Sequence, residues 1–367
     1  GLGDLIATCQ SPLSRNNTAG RLLGQGYSFH EVVKQMDQTA EGLASVAPIH
    51  SLVAAVMQGV GEPPLIVKSG ASPHSYSLRP SDARSLQEAD AVFWVGEGLE
   101  TFLTGPLATL SPDARVVELA EAPGLVLLPV REGGAFEPHH HDDADEHDGA
   151  AADHDGHDHE ADHAAGDHEH AGEAEQAETE HAEAEHHHDH AHEAADMHLW
   201  LDPRNARAMT TAIAAALAEV DPPHAAAYAA NAAALDARLA ALDERLATEL
   251  APVKAKPFIT FHDAYQYLDR RYGLAAVGTI TVDPGRAPGA ERIAELRGKI
   301  ERLEAVCVFA EPQFEAKVVA SLVDGTDVRT GVLDPDAAAG HTPGPDLYFE
   351  LMDDLGASLV RCLGGTA

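Results

Sequence analysis

DPPHAAAYAANAAALDARLAALDERLATEL, residues 221–250, is the stretch that decides the fold of this 367-residue chain. Asp221 followed by two prolines predicts a helix N-cap with prolines in the first turn, because proline presets the backbone there. The alanine-rich run that follows predicts a helix from about His224 to Glu249, roughly 39 Å long at 1.5 Å per residue. A helix of that length either joins two lobes as a stiff rod or serves as one more core helix.

Short β-prone runs alternate with helical stretches on both sides of this helix, an alternation that predicts parallel βαβ sheets. One of the helical stretches is the amphipathic run Ser81 to Glu88. The β-prone runs are 43–49, 65–68, 91–95 and 116–119 before the helix, and 257–261, 275–280, 305–310 and 328–333 after it. The sequence therefore predicts an α/β protein with two βα lobes, joined by one long rigid helix and separated by a cleft.

The length of the chain also favours two lobes, since it exceeds one ordinary hydrophobic core. We expect a first lobe over residues 44–220, a linker helix over 221–250 and a second lobe over 251–367. Residues 1–43 form an extension of uncertain origin in this division. A compositionally distinct segment, residues 138–192, interrupts the first lobe.

This segment, called the His-rich tract below, contains 16 His and 19 Asp plus Glu but no Lys, Arg or aromatic residue. With almost nothing apolar to bury, it is predicted to be a disordered loop. Neutral imidazole suits zinc, copper, nickel and iron, so an accessory metal collector or sensor is a better interpretation than a plain acidic linker. Its metal-binding side chains are expected in the densest His runs, at His139, His140, His141, His157, His159, His186, His187, His188 and His190.

The net charge of −36 argues against nucleic acid and anionic membrane surfaces as partners. No apolar window of about 18 residues is present, so no membrane insertion is expected, and no signal peptide is visible. Among the three cysteines, Cys307 and Cys362 are either buried free thiols or, in an exported protein, a disulfide that leaves Cys9 unpaired.

Three of the seven histidines outside the tract lie where ordered segments meet loops. His74 follows the run 65–68, His198 stands where the tract ends, and His262 follows the strand-like FITF. Ligand sites in open α/β sheets gather beyond the carboxyl ends of strands, and three converging imidazoles fit tetrahedral zinc with a fourth position for water or carboxylate. Each alone is more often a capping or packing histidine. His50, near the same strand end, is expected to cap a helix.

Seven motifs carry a resemblance to a known family. GASPHSYSLRPSD, DAVFWVG, MHLWLDP, FHDAYQYLDRRYGL, PGAERI, CVFAEPQF and GVLDP, in that order, resemble the periplasmic high-affinity zinc-binding proteins of bacterial ABC zinc importers, over residues 44–364. The resemblance implies Zn²⁺ in a cleft between two lobes, a periplasmic location, a monomer without enzyme activity and an inner-membrane ABC permease as partner. His74, His198 and His262 match the three zinc ligands of the family. Cys307 and Cys362 match its disulfide.

The fourth ligand departs from the family pattern. Some members place Glu directly before the first ligand histidine, where this chain has Pro73. Asp334, in GVLDP, matches a position at which manganese-binding relatives supply a carboxylate. It is expected either to ligate, directly or through water, or to serve only as a turn-forming Asp before Pro335. Those relatives carry Glu where this chain has His262, and an all-nitrogen trio favours zinc over Mn²⁺.

Residues 1–42 resemble a different family. GLGDLIATC, SPLSRNNTAGRLLGQG and QTAEG are similar to a fragment of the C-terminal domain of NAD-dependent glycerol-3-phosphate dehydrogenase, without its GxGxxG motif, so no dehydrogenase activity is inferred. Two further functions compete with zinc transport for the rest of the chain. One is a zinc buffer or metallochaperone, and the other is a three-His zinc hydrolase, for which Asp334 is the candidate general base.

Overall fold

Two parallel β-sheets form the framework of the computed structural model, which describes residues 40–68, 70–131, 136, 195–281, 290–314, 316–337 and 339–365. The first sheet has the strand order β1-β2-β3, and the second has the order β5-β4-β6-β7. All pairings within both sheets are parallel. The strands are β1 (Gly42–Ala44), β2 (Ala91–Trp94), β3 (Arg115–Glu118), β4 (Phe258–Thr260), β5 (Ala276–Thr279), β6 (Cys307–Ala310) and β7 (Arg329–Val332).

Helices connect the strands, as parallel pairing requires. They are α1 (Ala47–Val56), α2 (Pro80–Glu88), α3 (Thr104–Leu110), α4 (Pro203–Val220), α5 (Ala225–Leu250), α6 (Gln266–Tyr272), α7 (Ala290–Arg302), α8 (Ala316–Val323) and α9 (Leu347–Gly364). The predicted α/β class with two parallel sheets is confirmed. The domain boundaries stay a prediction, although the first strand already begins at Gly42, inside the predicted extension.

The prediction of a strand over residues 43–49 is wrong in its second half. The strand ends at Ala44, and α1 begins at Ala47 with Pro48 in its first turn. Proline fits that position because it lacks the N–H that the first turn leaves unsatisfied. The run 65–68 forms only an isolated parallel bridge between Leu65 and Ala44, so it extends the edge of the first sheet without becoming a full strand.

The long helix was predicted within one residue at each end, as α5 shows. Its buried side chains recur at helical spacing, at Tyr228, Leu235, Leu239, Leu242, Leu246 and Leu250. This stripe packs against α1 and α4 and also against α9. The helix is therefore both a connection between the two sheets and a core element along its whole length.

Asp221 does not cap α5 with its side chain. It precedes a 3-10 turn, Pro222–His224, and makes no side-chain bond to a backbone N–H of that turn. Its Oδ2 instead accepts hydrogen bonds from the Tyr228 hydroxyl (2.7 Å) and from His224 Nδ1 (2.8 Å). Asp221 thus fixes the first turn of the helix through side chains.

The second sheet separates two hydrophobic clusters, because successive residues of a strand face opposite sides. Phe258 and Phe309 point into the main cluster, which also contains the buried face of α5. Their neighbours Ile259 and Val308 point into a smaller cluster with residues of α7 and α8. The main cluster also includes Phe93 of the first sheet. One continuous core therefore reaches both sheets.

The α9 helix and the segment around Trp200 also link the two halves of the chain. The Tyr348 hydroxyl donates to the carbonyl of Trp200 (2.6 Å), and the Trp200 indole donates to the carbonyl of Pro335 (2.8 Å). Both aromatic side chains are fully buried. Their polar atoms are thus satisfied inside the core, as buried polar groups require.

Cys307 and Cys362 form a disulfide that joins β6 to α9, with a Cα–Cα distance of 6.1 Å. Of the two readings of these cysteines, the disulfide is confirmed and the free thiols are wrong. Among the described residues, no helix has both the length and the apolar character needed to cross a bilayer.

Replacing both cysteines, as in Cys307→Ala with Cys362→Ala, should lower the free energy of unfolding of the metal-free protein by about 2–4 kcal/mol. The bond restricts the unfolded chain over a separation of 55 residues, so its loss favours unfolding. Thermal unfolding of the double variant and the unchanged protein measures the effect. Cys9→Ala, which leaves the disulfide intact, is the control, and equal midpoints for all three proteins would contradict the prediction.

Candidate metal centre

Three loops bring His74, His198 and His262 together. His74 lies in a 3-10 turn, Pro73–Ser75, which begins with a proline. His198 directly precedes a second 3-10 turn, Leu199–Leu201, and its backbone leads directly into buried hydrophobic residues. His262 comes two residues after β4. Each imidazole is therefore carried by a segment whose path is fixed by a turn or a strand.

The ring nitrogens of the three histidines converge. The Nε2 atom of His198 lies 3.3 Å from Nε2 of His74 and 3.4 Å from Nε2 of His262. One ring nitrogen from each residue lies within 4.8 Å of the other two. His198 and His262 are buried, and His74 is exposed. Within the described part of the chain, the set is thus open to solvent on the side of His74.

These spacings match a small tetrahedral ion. Zinc binds imidazole nitrogen at about 2.0–2.1 Å with tetrahedral angles, so two such nitrogens lie about 3.3–3.4 Å apart. Both distances from His198 agree with that value. Three neutral nitrogen donors also suit zinc better than a hard ion such as Mn²⁺. The residues present therefore fit a zinc ion with one further coordination position.

Carboxylates hold the other ring nitrogen of the two buried histidines. His198 Nδ1 lies 2.9 Å from Asp196 Oδ1, and His262 Nδ1 lies 2.6 Å from Glu311 Oε2. An ionised carboxylate only accepts hydrogen bonds, so Nδ1 carries the proton and Nε2 presents its lone pair. Two lone pairs that face each other repel unless a cation lies between them. This arrangement is suited to binding an ion.

Burial shifts the pKa values of these histidines and carboxylates. Desolvation, together with the charge of His262, lowers the pKa of His198 to about 3. Desolvation acts in the same direction on His262, but the charge of Glu311 and the hydrogen bond to it outweigh that effect and raise its pKa. Desolvation raises the pKa of Asp196 to about 7. In the metal-free site a proton therefore resides on His262 before His198.

The structure does not bring Asp334 into the three-His group. Its Oδ1 accepts hydrogen bonds from Gln313 Nε2 (2.9 Å) and from the backbone N–H of Asp336 (3.3 Å). Its Oδ2 accepts one from the N–H of Ala339 (2.9 Å). Both oxygens thus organise a turn, and ligation by Asp334 stays a prediction.

His50 does not cap a helix, contrary to expectation. It lies inside α1, and its Nε2 is 2.8 Å from the carbonyl of Pro63. Desolvation lowers its pKa. The histidines predicted to bind metal in the His-rich tract lie outside the described residues.

Three carboxylates near the histidines were not identified from the sequence. Asp196 stands two residues before His198, and Glu311 directly follows β6. Because β6 and β4 pair in parallel, the rule that placed His262 beyond a strand end could also have found Glu311. Asp336 is also buried, and desolvation raises its pKa to about 7. No local sequence pattern distinguishes Asp196 from other acids near the tract.

A separate cavity of about 230 Å³ contains none of the three histidines. It is lined by Val126, Leu128, Asp202, Arg204, Tyr267, Arg270 and Arg271. Arg204 pairs with Asp202 (2.6 Å), and Arg271 is hydrogen-bonded to Asp243 (2.8 Å). The converging nitrogens, rather than this cavity, carry the metal-binding chemistry.

Comparison with known proteins gives two family matches. The model of ZnuA, described as the periplasmic component A of a zinc-uptake complex, matches residues 43–362. The model of the C-terminal domain of bacterial NAD-dependent glycerol-3-phosphate dehydrogenase matches residues 1–64, somewhat beyond the predicted fragment. The overlap of the two matches, residues 43–64, contains the last two residues of β1 and the whole of α1, which packs on α5.

Individual relatives agree with the first match. The high-affinity zinc uptake system protein ZnuA of Brucella abortus is 50% identical over 321 residues, which cover 88% of this chain and 91% of the relative. The protein of the same name from Yersinia pestis is 33% identical over 89% of this chain and 92% of its own length. A crystal structure of ZnuA covers 89% of this chain and 98% of its own, with a TM-score of 0.63 and 21% identity. Pseudomonas aeruginosa FpvC in complex with Mn²⁺ shares the fold, with a TM-score of 0.66 and 19% identity over 90% of this chain and 100% of its own.

Zinc binding to the three-His site should weaken as the pH falls below the raised pKa of His262. Below that pKa, which lies above 6.5, the metal-free histidine holds a proton that zinc must displace. The affinity should therefore decline by at least about tenfold per pH unit once His262 is protonated. Competition with a chelator of known zinc affinity from pH 8 to pH 5 measures the decline. A constant affinity over this range would contradict the assignment of the raised pKa.

Proposed function

The chain belongs to the ZnuA family of periplasmic zinc-uptake components, and on that premise we propose that it captures Zn²⁺ between its two lobes and delivers it to the permease of an ABC importer. The convergence of the three Nε2 atoms is the observation that carries the proposal. Their spacing fits tetrahedral zinc, and two of the three rings are already oriented by carboxylates. A site prepared in this way binds an ion at small cost in conformational entropy.

We assign the zinc ligands to Nε2 of His74, His198 and His262. Water is our choice for the fourth position, because direct ligation by Asp334 requires it to give up bonds to Gln313 or Ala339. In this assignment Asp334 supports the site through the turn that it organises. The Cys307–Cys362 disulfide supports a periplasmic location, since such bonds persist in oxidising compartments.

Zinc hydrolysis and simple buffering are less well supported. The family is a solute-binding component of a transporter and not an enzyme. A hydrolase needs a general base beside the bound water, and both oxygens of Asp334 are engaged elsewhere. The buffer hypothesis, in which the tract alone binds zinc, does not explain why three histidines converge in the folded lobes.

For the His-rich tract we propose an accessory role in collecting zinc near the site. Its composition supports loose and multivalent binding, because imidazoles and carboxylates alternate without a hydrophobic core to fix them. In this proposal the tight zinc site lies in the lobes, and the weak zinc sites lie in the tract.

Replacing any one of the three histidines, as in His74→Ala, His198→Ala or His262→Ala, should weaken the tightest zinc site by more than about 100-fold. Loss of a residue that only supports a metal ligand lowers metal affinity by about 10- to 100-fold, so loss of a ligand itself should lower it further. Chelator competition at pH 7.5 measures the affinity. His341→Ala is the matched control, since His341 pairs with Glu350 and Asp354 and lies outside the three-His group.

The zinc affinity of Asp334→Asn is measured by the same chelator competition. If Asp334 only organises its turn, the variant should lose less affinity than any of the three histidine variants. A loss as large as that of His262→Ala would instead establish Asp334 as a ligand. Unchanged tight binding in all three histidine variants would refute the proposed site.

Deleting residues 138–192 should remove weak zinc equivalents and leave the tight site intact. The tract contains 16 imidazoles, whereas the three proposed ligands lie outside it. Calorimetric titration of the full and the shortened protein separates the two classes of site. Loss of the tight site on deletion would contradict an accessory role, and an unchanged number of zinc ions bound would show that the tract does not collect metal.

A further inference from the structure

We propose that Asp196 and Glu311 are positioning residues for metal capture, which orient the two buried histidines and balance the charge of the ion. The inference rests on the proposed function, because it takes His198 and His262 as zinc ligands. Neither carboxylate belongs to the three-His group itself. Each acts on the ion through the ring that it holds.

Glu311 holds His262 at two points. His262 Nδ1 is 2.6 Å from Glu311 Oε2, and the backbone N–H of His262 donates to Oε1 at 3.3 Å. The Tyr265 hydroxyl donates to the same Oε1 at 3.2 Å and keeps the carboxylate from turning. Because Glu311 binds both the main chain and the ring of His262, the imidazole cannot rotate without breaking a buried hydrogen bond.

Asp196 holds His198 in the same way. The backbone N–H of His198 donates to Asp196 Oδ1 at 3.0 Å, and Nδ1 lies 2.9 Å from that oxygen. The two carboxylates come from different parts of the chain, one beside its histidine in sequence and the other at the end of β6. The same pair of contacts thus recurs on both sides of the site, and in both cases it leaves Nε2 as the free lone pair.

Charge balance gives a second reason for two carboxylates. A zinc ion with three neutral imidazoles carries two positive charges, and a buried charge is costly unless it is compensated. Ionised Asp196 and Glu311 supply two negative charges one imidazole away from the ion. The positive charge of Arg131 also acts on Asp196, but its guanidinium is already paired with two other carboxylates, those of Asp263 and Asp269. The assembly of ion, rings and carboxylates is then neutral.

A purely structural role does not account for Asp196. Its Oδ2 is buried and makes no hydrogen bond to any described residue. An unsatisfied buried carboxylate oxygen destabilises a fold, so a residue selected only for stability would not be acidic here. Negative charge next to a bound cation gives this unpaired oxygen a role.

Asp196→Ala and Glu311→Ala should each weaken zinc binding by about 10- to 100-fold, as expected for the loss of a group that orients a ligand. Co²⁺ substituted for zinc reports on geometry, because tetrahedral Co²⁺ absorbs visible light far more strongly than octahedral Co²⁺. The alanine variants should lose much of this absorption as the rings become free to turn. Asp196→Asn and Glu311→Gln retain an acceptor oxygen, so they should recover the absorption while binding zinc more weakly than the unchanged protein.

Asp243→Ala is the matched control. Asp243 is also buried and hydrogen-bonded, to Arg271 and Tyr272, but it lies outside the site. It should leave both zinc affinity and cobalt absorption unchanged, and thermal unfolding of each metal-free variant verifies folding. The inference is overturned if the Asp196 and Glu311 alanine variants keep the affinity, or lose affinity with unchanged cobalt absorption. In that case, loss of tight zinc binding in His262→Ala would still support the proposed function. Unchanged tight zinc binding in His262→Ala would refute the proposed function as well.

Discussion

The hydrogen bonds of one phenol, that of Tyr267 on α6, determine the geometry of the metal centre. Its hydroxyl donates to the carbonyl of Asp196 at 2.6 Å and accepts from the N–H of Leu128 at 3.0 Å. A side chain from the second half of the molecule thereby fixes two segments of the first half. Arg131 strengthens this junction through its bonds to Asp263 and Asp269. The spacing between His198, two residues after Asp196, and His262, directly before Asp263, follows from these contacts.

The same region concentrates ionisable groups in the interior. Desolvation raises the pKa of Asp196, Asp269 and Asp336 to about 7, so each carboxylate is costly to ionise in the metal-free fold. A cation among them lowers that cost, since an opposite charge favours the ionised form. Metal binding and stability of the folded lobes are therefore linked, and the ion contributes free energy to the folded state.

Local sequence signals were enough for most of the fold, whereas the three histidines were grouped by their positions beside loops together with the family resemblance. Strand-like runs and an alanine-rich helix preceded by two prolines depend on neighbouring residues, so α5 and the strands of the second sheet could be predicted nearly to their ends. The region after β1 was mispredicted because Pro48 starts a helix within an apolar run. His50 was misassigned because its partner, the carbonyl of Pro63, is brought close only by tertiary folding. Asp196 and Glu311 were missed for a related reason, since their role depends on which ring each one meets.

Capture of an ion requires tight binding and its release requires weak binding. The placement of the proposed ligands on two sheets is compatible with both. His74 and His198 belong to segments that follow or flank the first sheet, whereas His262 follows a strand of the second. Coordination bonds act only over about 2 Å, so in the proposed site a small separation of the two sheets would remove His262 from the ion. Two neutral nitrogens then remain, one of them exposed to solvent at His74. In the proposed function, a site divided in this way would hold its ion while the hydrogen bonds of Tyr267 are intact and would release it when the two sheets separate.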